Sequence, residues 1–132
     1  METEDFGLKK EERIYKRDEI KALFSKSDSF NVFPFKVLHI EVPTEQQENL
    51  KFAVSVPKRL FKKAVDRNHL KRRVKEAYRI NRNELKNKLI DSDKKLHFML
   101  IYIAKEQLEY DFIQKKIILT LQRLQSIYAE DS

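Results

Sequence analysis

Apolar residues recur along the chain with two different periods, and the changes of period divide it into elements. Ile20, Leu23 and Phe24 in "RDEIKALFSK" keep helical spacing and predict a short helix over about 17–26. "FPFKVLHIEV", 33–42, alternates instead. Phe35, Val37 and His39 fall on one face, and Lys36, Leu38 and Ile40 on the other. Pro34 has no amide hydrogen to give a ladder, so this strand begins at or after it or lies at an edge. "LKFAVSV", 50–56, predicts a second strand stopped by Pro57. "KLHFMLIYIA", 95–104, is apolar on both faces, as expected of a central strand covered on both sides. Ile113, Ile117, Leu121, Leu124 and Tyr128 step by three or four and predict a helix over about 110–128. "SDSFN" and "PTEQQEN" are polar and turn-like.

Between the second and third apolar strands lies a different kind of segment, "AVDRNHLKRRVKEAYR", 64–79. At 100° per residue, Leu70, Val74, Ala77, Tyr78 and Leu85 cluster on one side, the expected core face. Asn68, Lys71, Arg72, Lys75, Arg79 and Arg82 fall within an arc of roughly 100° beside it, while Arg73 points elsewhere. The cations therefore form a stripe rather than a ring. Asp66 is the expected N-cap. Lys58, Arg59, Lys62, Lys63 and Arg67 crowd the start of the helix. Exposed cations there oppose the helix dipole at a cost of about 0.3–1 kcal/mol each. A bound phosphate reverses that argument, because helix N-termini favour anions.

Composition sharpens the picture. The 132-residue chain carries a net charge of +7. From Lys58 to Arg82 there are eleven Lys or Arg against two acids, Asp66 and Glu76, so the remainder is close to neutral. A focused positive block is the footprint of a polyanion binder, whereas a merely solvated helix usually alternates its signs. The length predicts one domain over 13–132, preceded by a flexible charged arm over 1–12. The absence of cysteine excludes disulfides and thiolate chemistry and suits a reducing cytoplasm. With one glycine there is no Gly-rich phosphate loop, and no apolar run approaches the roughly 18 residues of a membrane span. His39, His69 and His97 form no recognisable base–nucleophile or metal constellation, so no catalytic residue and no side-chain metal site is assigned.

The block "VPKRLFKKAVDRNHLKRRVKEAYR", 56–79, resembles the signature of the bacterial ribonuclease P protein component. There a strand runs into a Lys-rich turn, then Ala-Val, Arg-Asn and a Lys/Arg-rich helix. The matching residues here are Lys58, Arg59, Ala64, Val65, Arg67, Asn68, Lys71, Arg72, Lys75 and Arg79. The order of the remaining elements over about 13–128 is similar too. Pro57, Phe61 and His69 depart from the family's usual small residue, Gly and Arg. Phe61 implies a turn that does not need positive φ.

The resemblance implies an α/β (α+β) sandwich, a mixed four-stranded sheet packed with helices in the order α-βββ-α-β-α. The fourth strand would lie near 28–34 or in the loop after 42. It also implies a left-handed βαβ crossover, against the usual right-handed rule. The implied function is a subunit of the endoribonuclease that removes the 5′ leader from precursor tRNA. Its catalysis would be carried by the RNA subunit, with magnesium held mainly by the RNA components. The implied partners are ribonuclease P RNA and precursor tRNA, one protein per RNA, with no membrane.

On this reading RNA binding falls to Lys58, Arg59, Lys62, Arg67, Asn68, His69, Lys71, Arg72, Lys75 and Arg79. Ile20, Phe24, Phe35 and Val37 would border the cleft for the single-stranded leader, although Phe24 and Phe35 suit a core equally well. A general basic RNA-binding module without a processing role is the alternative. The ordered K-R-x-x-x-x-A-V-x-R-N block argues against it, since a generic basic helix has no reason to carry one.

Overall fold

Four strands form one mixed sheet in the order β1-β2-β4-β3 in a computed structural model that describes residues 9–129. After a 3-10 turn at Lys10–Glu12 come α1 (Arg17–Lys26), β1 (Asp28–Val32), β2 (Phe35–Val42) and β3 (Leu50–Ser55). Helices α2 (Ala64–Asn81) and α3 (Asn83–Asp91), strand β4 (Lys95–Tyr102) and helix α4 (Tyr110–Tyr128) follow. The expected fourth strand is β1, paired antiparallel with β2. β4 is central, antiparallel to β2 and parallel to β3, which explains its apolar residues on both faces.

The sheet has two unequal sides. One carries Phe35, Val37, Leu50, Phe52, Leu96, Phe98, Leu100 and Tyr102, packed with buried residues of α2, α3 and α4 into the main core. The other carries Leu38 and Met99, packed with Ile14 and Leu23 into a smaller core, with Ile20, Ile40, Ala53 and Ile101 half-buried around it. Pairing register enforces the division, because neighbours two apart on a strand share a face.

Three aromatic rings seat α2 on the sheet. Tyr78 stacks on Phe52 with centroids 4.1 Å apart at 21° and meets Phe98 edge-on at 5.7 Å. Leu70, Val74 and Ala77 are fully buried beside it, as their helical spacing requires. The Tyr78 hydroxyl is buried with no hydrogen-bond partner among the described residues, and burial pushes its pKa up.

Three details differ from expectation. The basic helix stops at Asn81 and α3 restarts after Arg82, so Leu85 reaches the core from a separate helix. The Asn81 side-chain amide donates to the Ala77 carbonyl at 2.8 Å and to Gln114 at 3.2 Å, competing with the helical ladder. Asp66 does not cap α2; Lys63 holds that position, and Asp66 sits in the first turn, where its charge still favours the dipole. Residues 1–8 of the expected arm lie outside the described residues. Residues 10–12, however, form the 3-10 turn, and Glu12 is buried. Its carboxylate accepts from Arg82 Nε at 2.9 Å and lies 3.7 Å from Lys86 Nζ. The segment is thereby tied to the α2–α3 junction.

Beneath α1, Lys51 is buried and pairs with Glu19 at 3.0 Å. His97, its cross-strand neighbour, is buried, and its Nε2 has no hydrogen-bond partner among the described residues. Burial holds the His97 pKa down at about 4, with Lys51 adding to the effect and Glu19 opposing it. His39 is lowered too, chiefly by burial, and its Nδ1 lies 2.6 Å from the Tyr128 hydroxyl.

Two outcomes are expected. Tyr78→Phe should leave stability to urea within about 0.5 kcal/mol or raise it, because it removes an unsatisfied buried hydroxyl, whereas Tyr78→Ala should cost about 3–5 kcal/mol. A large loss with Phe would mean that the hydroxyl has a partner. The second concerns pH. The folded state protonates His97 only near pH 4, the unfolded state near its ordinary 6.5. The unfolded state therefore binds more protons between those values, and stability falls as pH drops from 6.5 towards 4. His97→Leu should flatten that fall in urea titrations at stepped pH; an unchanged slope would place the titration elsewhere.

Candidate nucleic-acid interface

β3 ends in the turn that opens the site. The Leu60 and Phe61 amides both donate to the Pro57 carbonyl, at 3.1 and 3.3 Å. Phe61 folds inward against Tyr102, with centroids 5.9 Å apart, and Lys58, Arg59, Lys62 and Lys63 are left exposed. Phe61 takes no positive φ; among the described residues Asp93, at 54°, is the non-glycine residue that does. A ring fits at this position because the turn points its side chain into the core.

Arg67 is not part of the outer stripe. Its guanidinium donates to the Phe61 and Lys62 carbonyls, both at 2.9 Å, and so holds the turn against the first turn of α2. The helical projection explains this, since Arg67 falls on the core side of the helix. Asn68, His69, Lys71, Arg72 and Lys75 do lie together, with Val65, around an open groove of about 460 Å³. Arg79 continues the line, but Glu76 takes a bidentate hold on it at 2.9 and 3.1 Å, and that hydrogen bonding raises its pKa. Arg82 leaves the line altogether to bind Glu12. Arg73 points away, as its spacing predicts, donating to the Leu108 carbonyl at 2.8 Å.

A second cleft, of about 380 Å³, lies on the other side of Lys71 and Lys75, which line both. Its opposite wall is the N-terminal segment, with Lys10, Arg13 and Tyr15. These residues are not foreshadowed by local pattern, because no periodicity in "KKEERIYKR" marks a segment held by contacts distant along the chain.

The expected leader cleft is half corrected. Phe35 and Val37 are fully buried beneath the helices of the main core, so neither offers a surface to RNA. The alternation of β2 assigned them to one face correctly, but α1 covers the opposite one. Ile20 and Phe24 do lie on α1, half-buried and 62% exposed respectively. The sheet residues that share the smaller core with Ile20 are Leu38, Ile40, Ala53 and Ile101.

His39 and His97 are buried in the sheet, and both have lowered pKa values. Among the described residues no group of three or more His, Asp or Glu is placed to hold a metal, and no helix is long and apolar enough to cross a membrane.

Fold and site together define a class: a small α+β domain that presents an acid-poor, cationic helix flank at its surface. The ribonuclease P family model matches residues 8–125, and the chain belongs to that family. A Porphyromonas gingivalis ribonuclease P protein component is 42% identical over 84 residues, which take in 64% of this chain and 61% of that protein. A Bacillus cereus ribonuclease P protein component is 34% identical over 119 residues, 88% of this chain and 93% of that protein. The Staphylococcus aureus RNase P protein structure superposes with a TM-score of 0.69 at 18% identity, over 89% of this chain and 97% of that one.

Replacing Lys71, Arg72 and Lys75 together by Ala should flatten the salt dependence of RNA binding by roughly 0.7–0.9 log units per lost phosphate contact. Thermal unfolding should hardly move, because the three side chains lie off the core face. An unchanged salt slope in a folded variant would show that the flank faces only solvent.

Proposed function

We propose that the chain is the protein subunit of ribonuclease P, binding the catalytic RNA and assisting removal of the 5′ leader from precursor tRNA. The observation that carries this reading is the groove along α2. Asn68, His69, Lys71, Arg72 and Lys75 line it, with no carboxylate among the described lining residues, directly after the Lys58–Arg59 turn. Such a flank is electrostatically costly alone and favourable against a phosphate backbone. Family membership names the RNA.

In this reading the protein contributes no reacting group. Magnesium ions, held mainly by the RNA components, would supply activation of water and stabilisation of the leaving oxygen. Among the described residues no cluster of three or more His, Asp or Glu is placed to hold them. Its own contribution is to grip phosphates along α2 and to position the substrate. The leader lies across α1 and the sheet face beside it, with Ile20, Phe24, Ile40 and Ile101 as its apolar border. Phe24 stacks on unpaired bases without reading their sequence. One protein serves each RNA, in the cytoplasm.

The test is cleavage of precursor tRNA at low magnesium by the protein alone, by a bacterial ribonuclease P RNA alone, and by both. The pair should cleave fastest and the protein alone should not cleave at the 5′ end. Site-specific cleavage by RNA-free protein would overturn the reading. Binding without any acceleration would favour a general RNA-binding module instead.

A further inference from the structure

We infer that the cleft between the N-terminal segment and α2 is a pocket for one unpaired nucleotide of RNA, with Tyr15 as the platform for its base. This deepens the proposed function and rests on it.

The pocket is built by long-range contacts rather than left over between loops. The Ile14 amide donates to the Phe52 carbonyl at 2.9 Å, and Arg13 bridges Phe52 in parallel register along the outer edge of β3. Ile14 is buried, and Glu12 is clamped by Arg82 on the far side. Residues 12–14 are thus held beside β3 at both ends. Tyr15 follows immediately and stays 51% exposed. Lys10 Nζ lies 5.2 Å from its ring centroid, and Lys51 Nζ 6.0 Å, within cation–π range.

The lining has two chemistries. Lys10 and Arg13 on one wall face Lys71 and Lys75 on the other, with no carboxylate among the described lining residues. Ile14, Phe52, Ala53 and Val54 make the rest apolar. Cations alone would suit any anion, and an acidic peptide would satisfy them while leaving the ring and the apolar floor wet. A nucleotide satisfies both halves: its base covers Tyr15 and the floor, and its phosphates meet the cations. Aromatic faces combined with cationic walls are how single strands are held without sequence readout. A volume of about 380 Å³ falls within the range of small-ligand sites. The nucleotide must also be unpaired, because a base inside a duplex has no free face to offer. Lys71 and Lys75 line the helix groove as well, so the strand would run from the flank of α2 into the pocket.

The experiment compares Tyr15→Ala, Tyr15→Phe and the Lys71/Arg72/Lys75 triple Ala variant. Binding is measured separately to a ribonuclease P RNA and to precursor tRNA, across a salt series, with thermal unfolding of each protein. Tyr15→Ala should weaken binding to one of the two RNAs about 5- to 150-fold, the loss expected for one stacked base. Its salt slope should not change, since no charge is removed, and Tyr15→Phe should bind like the wild type. The RNA affected identifies the source of the nucleotide, and 4-thiouridine substituted into that RNA should crosslink to Tyr15 at one position. Unchanged binding by Tyr15→Ala, or a loss matched by a fall in melting temperature, would overturn the pocket. If the triple variant still loses salt dependence, the reading of α2 stands without it; if neither variant affects RNA binding, both fall.

Discussion

The seating of Tyr78 against Phe52 and Phe98 is the contact on which the remaining arrangement depends. A helix can present its cations usefully only if its rotation about its own axis is fixed. Stacking at 4.1 Å on one ring and an edge contact at 5.7 Å on another fix it. Leu70, Val74 and Ala77 then have one way to fill the space over the sheet. Asn68, Lys71, Arg72 and Lys75 are carried outwards by the same rotation. Arg73 and Arg67 fall outside that arc, and the fold uses both internally, to hold the loop before α4 and the turn before α2. The division between structural and presented cations is therefore a consequence of helical geometry.

The sheet's two faces divide the labour further. The face under α2, α3 and α4 is closed and supplies most of the buried apolar surface. The face under α1 is thinly covered, with one short helix and the half-buried rim of Ile20, Ile40, Ala53 and Ile101. The Glu19–Lys51 pair holds α1 to the edge strand, and Glu12–Arg82 holds the preceding segment to the far end of α2. Breaking a buried pair by removing one partner is strongly destabilising. The N-terminal segment is thus a structural part of the cationic surface.

Much of this was legible in the sequence, and the exceptions have a common cause. The bounds of α1 and α4 follow from their apolar stripes, and β2 begins where Pro34 permits. The basic flank follows from 100° per residue and the core face beside it. What local pattern cannot express is which layer covers which face. Both faces of β2 are buried in places, so alternation separates Phe35 and Val37 from Leu38 and Ile40 without saying which pair lies under α1. The break after Asn81 depends on a side chain from α4, and the course of residues 10–15 depends on β3 and Arg82. Each is a contact between residues far apart in the chain. The family block, by contrast, is local, and that is why the family was easier to read than the covering of the sheet's two faces.

The central claim is that one flank of α2 faces the catalytic RNA, and lysine footprinting tests it most directly. Acetylation of each lysine is measured by mass spectrometry with and without ribonuclease P RNA. The account predicts protection at Lys58, Lys62, Lys71 and Lys75 on the turn and flank, and none at Lys88 on α3 or Lys115 and Lys116 on α4. Protection confined to α3 and α4, with the α2 lysines as reactive as in the free protein, would contradict it.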